Sequence, residues 1–169
     1  MFSFLRKKEM SLKEKEEEKG QILSAFISGK VIPIEETPDP VFAQKVMGGG
    51  VAIEPVEEVL VAPCDAEVTV VMEDTKHAVG IQSTDGMEIL LHAGLETVNM
   101  KGEGFTLFVK PGQLVRRGQK LLSFETKKII EKGYNTICIM VISNEEKFDN
   151  LVYKTGIQAK KGETAIADY

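Results

Sequence analysis

Between residues 22 and 142 the apolar positions come in short runs, such as Val31-Ile32, Val51-Ala52-Ile53 and Ile137-Cys138-Ile139-Met140, broken by Gly, Pro and Asp at close intervals. No long stretch keeps the 3.6-residue period of a helix, so the pattern is that of an all-β sandwich or barrel. It predicts strands over 22–27, 29–34, 51–54, 59–62, 66–73, 77–82, 87–92, 105–109, 120–125 and 136–142. Turn signals separate them: Thr37-Pro38-Asp39-Pro40, Gly48-Gly49-Gly50, Asp85-Gly86 and Lys110-Pro111-Gly112. Segments 41–46 and 126–132 fit single helical turns. Ser28–Ile34 and Cys64–Val70 each place a small or acidic entry before a β-branched strand, a faint sign of internal duplication.

The first residues break this pattern. From Arg6 to Lys19 the chain is almost wholly charged with mixed signs, which permits i,i+4 pairing on a solvated helix but offers little to bury. The chain therefore reads as a flexible charged tail over 1–20 followed by one domain over 21–169, a length that suits a single core. Phe2, Phe4 and Leu5 beside Arg6, Lys7 and Lys8 offer a membrane-surface contact, although one apolar turn binds a bilayer poorly by itself.

Composition narrows the function classes. Apolar residues at 43% and charged residues at 28% are the balance of a folded soluble domain. A net charge of -5, with Lys and Arg scattered, argues against a nucleic-acid surface. Cys64 and Cys138 are too few and too far apart for a disulfide framework, so two buried thiols in a reducing compartment are expected. No run approaches the about 20 apolar residues of a membrane span, and the start lacks the charge order of a secretory signal. A cytoplasmic location is expected.

Candidate chemistry concentrates on the only two histidines, His77 and His92, which flank the turn Ser83-Thr84-Asp85-Gly86. If Thr84-Asp85 forms a two-residue hairpin loop, the imidazoles are directly opposed, at roughly 4.5–5.5 Å between Cβ atoms. If the loop is Asp85-Gly86, they are diagonal, at roughly 7–8 Å. In the first register Val79 faces Leu90 on the histidine side, giving the rings an apolar rim suited to a protein partner. Zinc enzymes need at least three protein ligands, and neither H-x-H nor H-E-x-x-H is present, so no metal or cofactor is expected. Ser-His-Asp hydrolysis lacks its G-x-S-x-G elbow. Imidazole as the nucleophile remains, since a neutral ring nitrogen can accept a phosphoryl group while a neighbouring ring donates to the phosphate oxygens.

Several strings resemble one family closely. They are Thr37-Pro38-Asp39-Pro40-Val41-Phe42-Ala43-Gln44-Lys45, Gly50–Pro55, Val61-Ala62-Pro63, Thr75-Lys76-His77-Ala78 and above all Leu91-His92-Ala93-Gly94-Leu95-Glu96-Thr97-Val98-Asn99-Met100-Lys101-Gly102-Glu103-Gly104-Phe105. The sequence is similar to the glucose-family IIA components of the bacterial phosphoenolpyruvate:sugar phosphotransferase system, from about Ser24 to Asn144. The resemblance implies an antiparallel β-sandwich or barrel of the duplicated-hybrid type with its site in a shallow apolar depression. It implies that Nε2 of His92 accepts phosphate from the histidine-containing phosphocarrier protein HPr and passes it to a cysteine of a IIB domain of a sugar permease. His77 matches the family's second histidine and Thr75 the hydroxyl that orients the pair. Gly94 matches the residue behind the phosphohistidine. Phe42, Val79, Leu90 and Val98 fall on its apolar docking rim, with Asp39 and Glu96 as acidic contacts.

The match is imperfect. Glu96 stands where many relatives have Asp, and Met72, Val79 and Leu90 where relatives often have Phe. Past Leu122 it weakens: Phe124–Lys128 departs from the usual strand ending, and Asn135-Thr136-Ile137-Cys138 lacks a familiar proline. These departures lie far from the histidines in sequence and are expected to alter packing rather than function. Two other readings compete. Pro111–Lys128 resembles the hairpin of lipoyl and biotinyl carriers, which would make Lys127 or Lys128 the attachment point. A non-catalytic regulatory binder using the same apolar rim is the other.

Overall fold

A strand buried on one side alternates its side chains between core and exterior, and the segment around His92 does so cleanly. A computed structural model describes residues 21–169. In it Ile89, Leu91 and Ala93 of β7 (Glu88–Leu95) point into the main core, while Glu88, Leu90 and His92 point the other way. β7 lies in an eight-stranded antiparallel sheet with β2 (Gly29–Pro33), β3 (Gly49–Pro55), β5 (Ala66–Val71), β6 (Ala78–Ser83), β9 (Leu114–Val115), β11 (Asn135–Ile142) and β13 (Gln158–Ala159), in the order β13-β2-β3-β11-β7-β6-β5-β9. Two three-stranded sheets complete the architecture. One joins β1 (Ile22–Ser24), β14 (Ala165–Asp168) and β12 (Val152–Tyr153); the other joins β4 (Val59–Val61), β10 (Lys120–Phe124) and β8 (Phe105–Leu107). The helices are α1 (Pro40–Ala43) and α2 (Thr126–Glu131), as the turn-like segments 41–46 and 126–132 suggested.

Every strand expected from the apolar runs is present, each with at least one end shifted by one to three residues, and the fold is the expected all-β sandwich. The short pairings β9, β12, β13 and β14 went unread, because two to four residues carry no periodicity. The faintly similar segments take matching places: β2 and β5 each stand second from an edge of the large sheet, β2 beside β3 and β5 beside β6. The charged tail and its suggested membrane contact lie outside the described residues.

The central strands are apolar on both faces. Leu91, Met140, Ile142, Val51 and Ile53 pack inside. On the outer face Ile137, Ile139 and Val141 of β11, with Ala52 and Ile32, form a second, smaller cluster covered by Ile34 and Phe42. This outer cluster becomes the floor of the site.

The β6–β7 hairpin corrects the expected register. Ser83 N–H donates to Met87 O at 2.9 Å, leaving a three-residue loop, Thr84-Asp85-Gly86, with Gly86 at φ +91. That is the loop built from a turn followed by one left-handed residue, and it shifts pairing by one from either two-residue alternative. His92 therefore opposes Ala78, Leu90 opposes Gly80 and Val79 opposes Leu91. A one-residue slip exchanges the two faces. Val79 is fully buried in the main core and is not a rim residue.

An added Cβ at Gly86 would meet nothing within 4 Å, so its cost is purely conformational. Gly86→Ala is expected to destabilise the domain by about 1 kcal/mol, measured by urea denaturation, with Gly86→Asn losing less. No loss with Ala would contradict the three-residue loop.

Candidate functional site

His92 stands on the outer face of β7, beside Ile139 of β11 in one direction and Ala78 of β6 in the other. Ala78, directly opposite on that face, sets no long side chain across the pair from the ring, while the space beside Gly80 is filled by Val70. His77 reaches His92 by an unexpected route. β6 begins only at Ala78, and Lys76 just before it has φ +56, so the backbone at His77 has left regular strand geometry. Its carbonyl still accepts from Ala93 N–H at 2.8 Å. The two rings meet edge to face with centroids 4.7 Å apart and planes at 86°. The expected juxtaposition is present although neither expected register is.

Thr75 Oγ1 and His77 Nδ1 share a hydrogen bond of 2.7 Å, which fixes the His77 ring. Phe42 completes the enclosure. Asp39 caps α1, its Oδ1 accepting from Val41 N–H at 2.9 Å, and Pro40 occupies the first helical position, which suits its fixed φ. This start aims the buried Phe42 ring at His92, 5.0 Å away between centroids at 62°.

The surroundings hold both imidazoles neutral. Burial pushes His92 down from 6.5 to about 4, and the nearby His77 ring adds to the shift; the Gly94 backbone and the Asp39 carboxylate oppose it. A group that favours protonated imidazole must accept its proton, so the Gly94 contribution comes from its carbonyl. His92 Nδ1 is nevertheless buried without a hydrogen bond of good geometry. Burial also lowers His77.

Leu90, half-buried, packs against the outer cluster, Val41 is exposed beside Phe42 on α1, and Val98 is 47% exposed on the 3-10 turn after β7. A shallow cleft lined in part by Asp39, Leu95, Glu96 and Tyr134 brings the two expected acids to one edge. Thr75, His77, His92, Phe42, Gly94, Leu90, Asp39 and Glu96 thus belong to one neighbourhood, Val98 is exposed on the turn that follows β7, and Val79 lies in the main core. Met72 is exposed, its N–H donating to Ala78 O at 3.2 Å, one strand beyond the hairpin.

The sequence reading missed the floor. Asn135–Cys138, set apart as distant, lies against the site, for Asn135 pairs with Leu95, Cys138 with Ala93 and Ile139 with His92. The continuous apolar run of β11 was the available signal, since a strand buried on both faces loses its alternation. A larger cleft of about 480 Å³ lies by Ser83, Thr84 and Arg117, near the hairpin tip rather than at the rings. Among the described residues no three His, Cys, Asp or Glu side chains gather to hold a metal. Cys64 and Cys138 are buried, unbridged thiols, each pushed up to about 12 by burial.

A neutral imidazole pair in an apolar depression, His77 buried and His92 half-buried, suits a group carrier that meets other proteins. The sequence pattern of the phosphoenolpyruvate-dependent sugar phosphotransferase system EIIA 1 family matches residues 21–148. The chain belongs to this family. It is 47% identical over 146 residues to the glucose-specific EIIA component of Bacillus cereus, covering 86% of this chain and 88% of the relative. Against the glucose-specific EIIA component of Haemophilus influenzae it is 37% identical over 142 residues, 84% of each chain. The solved structure of glucose permease IIA from Mycoplasma capricolum superposes with a TM-score of 0.80 at 33% identity, covering 88% of this chain and 95% of that one.

As an EIIA component, the chain is a phosphocarrier of the sugar phosphotransferase system. The lipoyl reading loses its geometric basis: Lys127 and Lys128 lie on α2 rather than at a hairpin tip, and Lys128 Nζ pairs with Glu125 at 3.1 Å. No described helix is long and apolar enough to cross a membrane.

The depressed histidine values set a pH dependence. The unfolded His92 ring takes up a proton near 6.5, whereas the folded ring resists until about 4. Across that window the unfolded state binds more protons, so stability falls as pH falls, and below about 4 this ring adds no further slope. His77 acts in the same direction. Carboxylates such as Glu35, held low by Lys45, enter only near 4.5 and below. Urea denaturation is expected to show a decline between pH 6.5 and 5.5 that is smaller in His92→Gln. An equal decline in that variant would contradict the buried neutral ring.

Proposed function

We propose that His92 Nε2 accepts the phosphoryl group from the histidine-containing phosphocarrier protein HPr and delivers it to the cysteine of a IIB domain. The observation that carries this reading is a half-buried, neutral His92 ring beside His77, with Nδ1 sealed inside. Only Nε2 can then meet a partner. Its lone pair bonds to phosphorus while the donor's P–N bond breaks, that electron pair returning to the donor imidazole. Nδ1 keeps its proton, and the phosphorylated ring carries a positive charge. In the second transfer the new P–N bond breaks, a S–P bond forms to the acceptor thiolate, and His92 returns to neutral.

His77 and Thr75 serve the phosphate. With the Thr75 hydroxyl donating to Nδ1, His77 carries its proton on Nε2 and offers that N–H to a phosphoryl oxygen. Phe42, Leu90 and Val98 supply apolar contact, and Asp39 and Glu96 attract basic residues of the phosphocarrier. The carrier works in the cytoplasm, where both partner domains are found. Phosphorylation places an anionic phosphoryl group on the cationic ring, a net negative charge in the apolar mouth, which would alter docking of any regulatory target.

Incubation with phosphoenolpyruvate, enzyme I and HPr is expected to label wild type but not His92→Ala, whose fold should persist because the ring stands outside the main core. His77→Gln should slow transfer more than it alters folding. The label should be lost in brief acid and survive mild base, since protonation of the leaving nitrogen drives hydrolysis. Labelling of His92→Ala, or an acid-stable adduct on the 125–128 segment, would overturn the assignment.

A further inference from the structure

Directly behind His92 the chain makes a reversal that phosphoryl transfer does not by itself require. Gly94 has φ +75 and Glu96 has φ +59, and the strand passes at once into the 3-10 turn Thr97–Met100. Left-handed backbone costs about 1–2 kcal/mol where a side chain is present, so neighbouring contacts must hold the Glu96 conformation. Thr97 supplies one. It is fully buried, and its Oγ1 donates to Ala93 O at 2.6 Å. Its methyl group occupies the place where a Gly94 side chain would stand, and the Asn135 carbonyl closes the other side at 3.0 Å. The hydroxyl thus ties the two ends of the 93–97 loop together, immediately after the reacting residue.

We propose that Thr97 is a positioning residue for His92: its hydroxyl holds the Ala93–Gly94 peptide so that the Gly94 carbonyl faces Nδ1, keeping the proton there and the lone pair on Nε2. Nδ1 has no other acceptor, being buried without a hydrogen bond. The Gly94 backbone favours the protonated ring, which singles out its carbonyl as the acceptor that a shift of the 93–97 loop would bring onto Nδ1. Neutral imidazole otherwise divides between two tautomers, and the one protonated on Nε2 cannot attack phosphorus. After transfer the same carbonyl faces a ring that has become cationic, where a charge-assisted hydrogen bond is stronger.

This inference rests on reading Nε2 as the acceptor, so the test has a readout independent of phosphate. Ring nitrogen spectra of the 15N-labelled full chain at pH 7.5, where the ring is neutral, should show one pyrrole-type and one pyridine-type nitrogen for His92. In Thr97→Val, which keeps the shape and removes the donor, the two signals should move toward each other. Thr97→Ser should look like wild type. Phosphoryl acceptance by Thr97→Val should fall about tenfold in kcat, with KM for phosphorylated HPr unchanged because the docking surface is untouched. If Thr97→Val does not fold, Thr97→Ala is read in its place and the same convergence is expected. A wild-type ring pattern in the variant lacking the hydroxyl, or a Thr97→Ser as impaired as Thr97→Val, would overturn the proposal. Failure of wild type to accept phosphate would instead refute the proposed function, while the ring spectra would still decide the role of Thr97.

Discussion

The pairing of β7 with β11 is the constraint on which the site depends. Both strands run through the middle of the large sheet, and each sends alternate side chains to opposite faces. Leu91, Ala93, Met140 and Ile142 are buried on the inner face, and burying such a side chain is worth about 1.5–3 kcal/mol. A slip of one residue would exchange Leu91 for His92 inside the core. The inner face therefore sets which ring faces outward. The outer face of the same two strands then sets what that ring rests on, because Ile139 is its neighbour in the ladder.

That floor explains the electrostatics. An imidazole beside Phe42 and a second imidazole, above Ile137, Ile139 and Val141, loses much of its hydration, and the charged form loses most. The ring stays neutral at physiological pH and keeps a lone pair available. The same apolar surroundings supply docking area, so a single feature of the packing serves nucleophilicity and recognition together. Asp39 is the exception. It caps α1 and its charge also favours protonated His92, so the residue that aims Phe42 partly offsets the burial that Phe42 imposes.

Much of this was legible in the chain itself, for reasons that differ by element. The short apolar run in 87–92 after Asp85-Gly86 announced a strand, and two histidines flanking one turn announced a site, because short-range pairing follows directly from a hairpin. The register did not. Whether Gly86 joins the loop changes the count by one, and that depends on Ser83 N–H reaching Met87 O, which no local pattern dictates. Val79 was misplaced for that reason alone. His77 stayed beside His92 because the irregular backbone at Lys76 carries its ring across, a feature residue types do not announce. The importance of Asn135–Cys138 was hidden for a different reason: it enters through strand pairing across forty or more residues, where sequence distance says nothing about proximity.

The order of the large sheet suggests why only one strand of the central pair carries chemistry. From the edges inward, β13-β2-β3-β11 and β9-β5-β6-β7 are two sets of four that meet at the β7–β11 pairing. In one set the tight β6–β7 hairpin sets the small Ala78 opposite His92 on the outer face of β7, and the His77 ring, just before that strand, reaches His92 there. In the other set Ala52 and Ile32 continue the outer face of β11 as packed aliphatic surface, closed over by Ile34 and Phe42. An imidazole at Ile139 would be buried beneath that cover, where no partner could reach it, whereas His92 sits at the boundary where the cover ends. The site therefore stands at the seam between the sets, with its nucleophile drawn from the open side and its hydrophobic floor from the closed one.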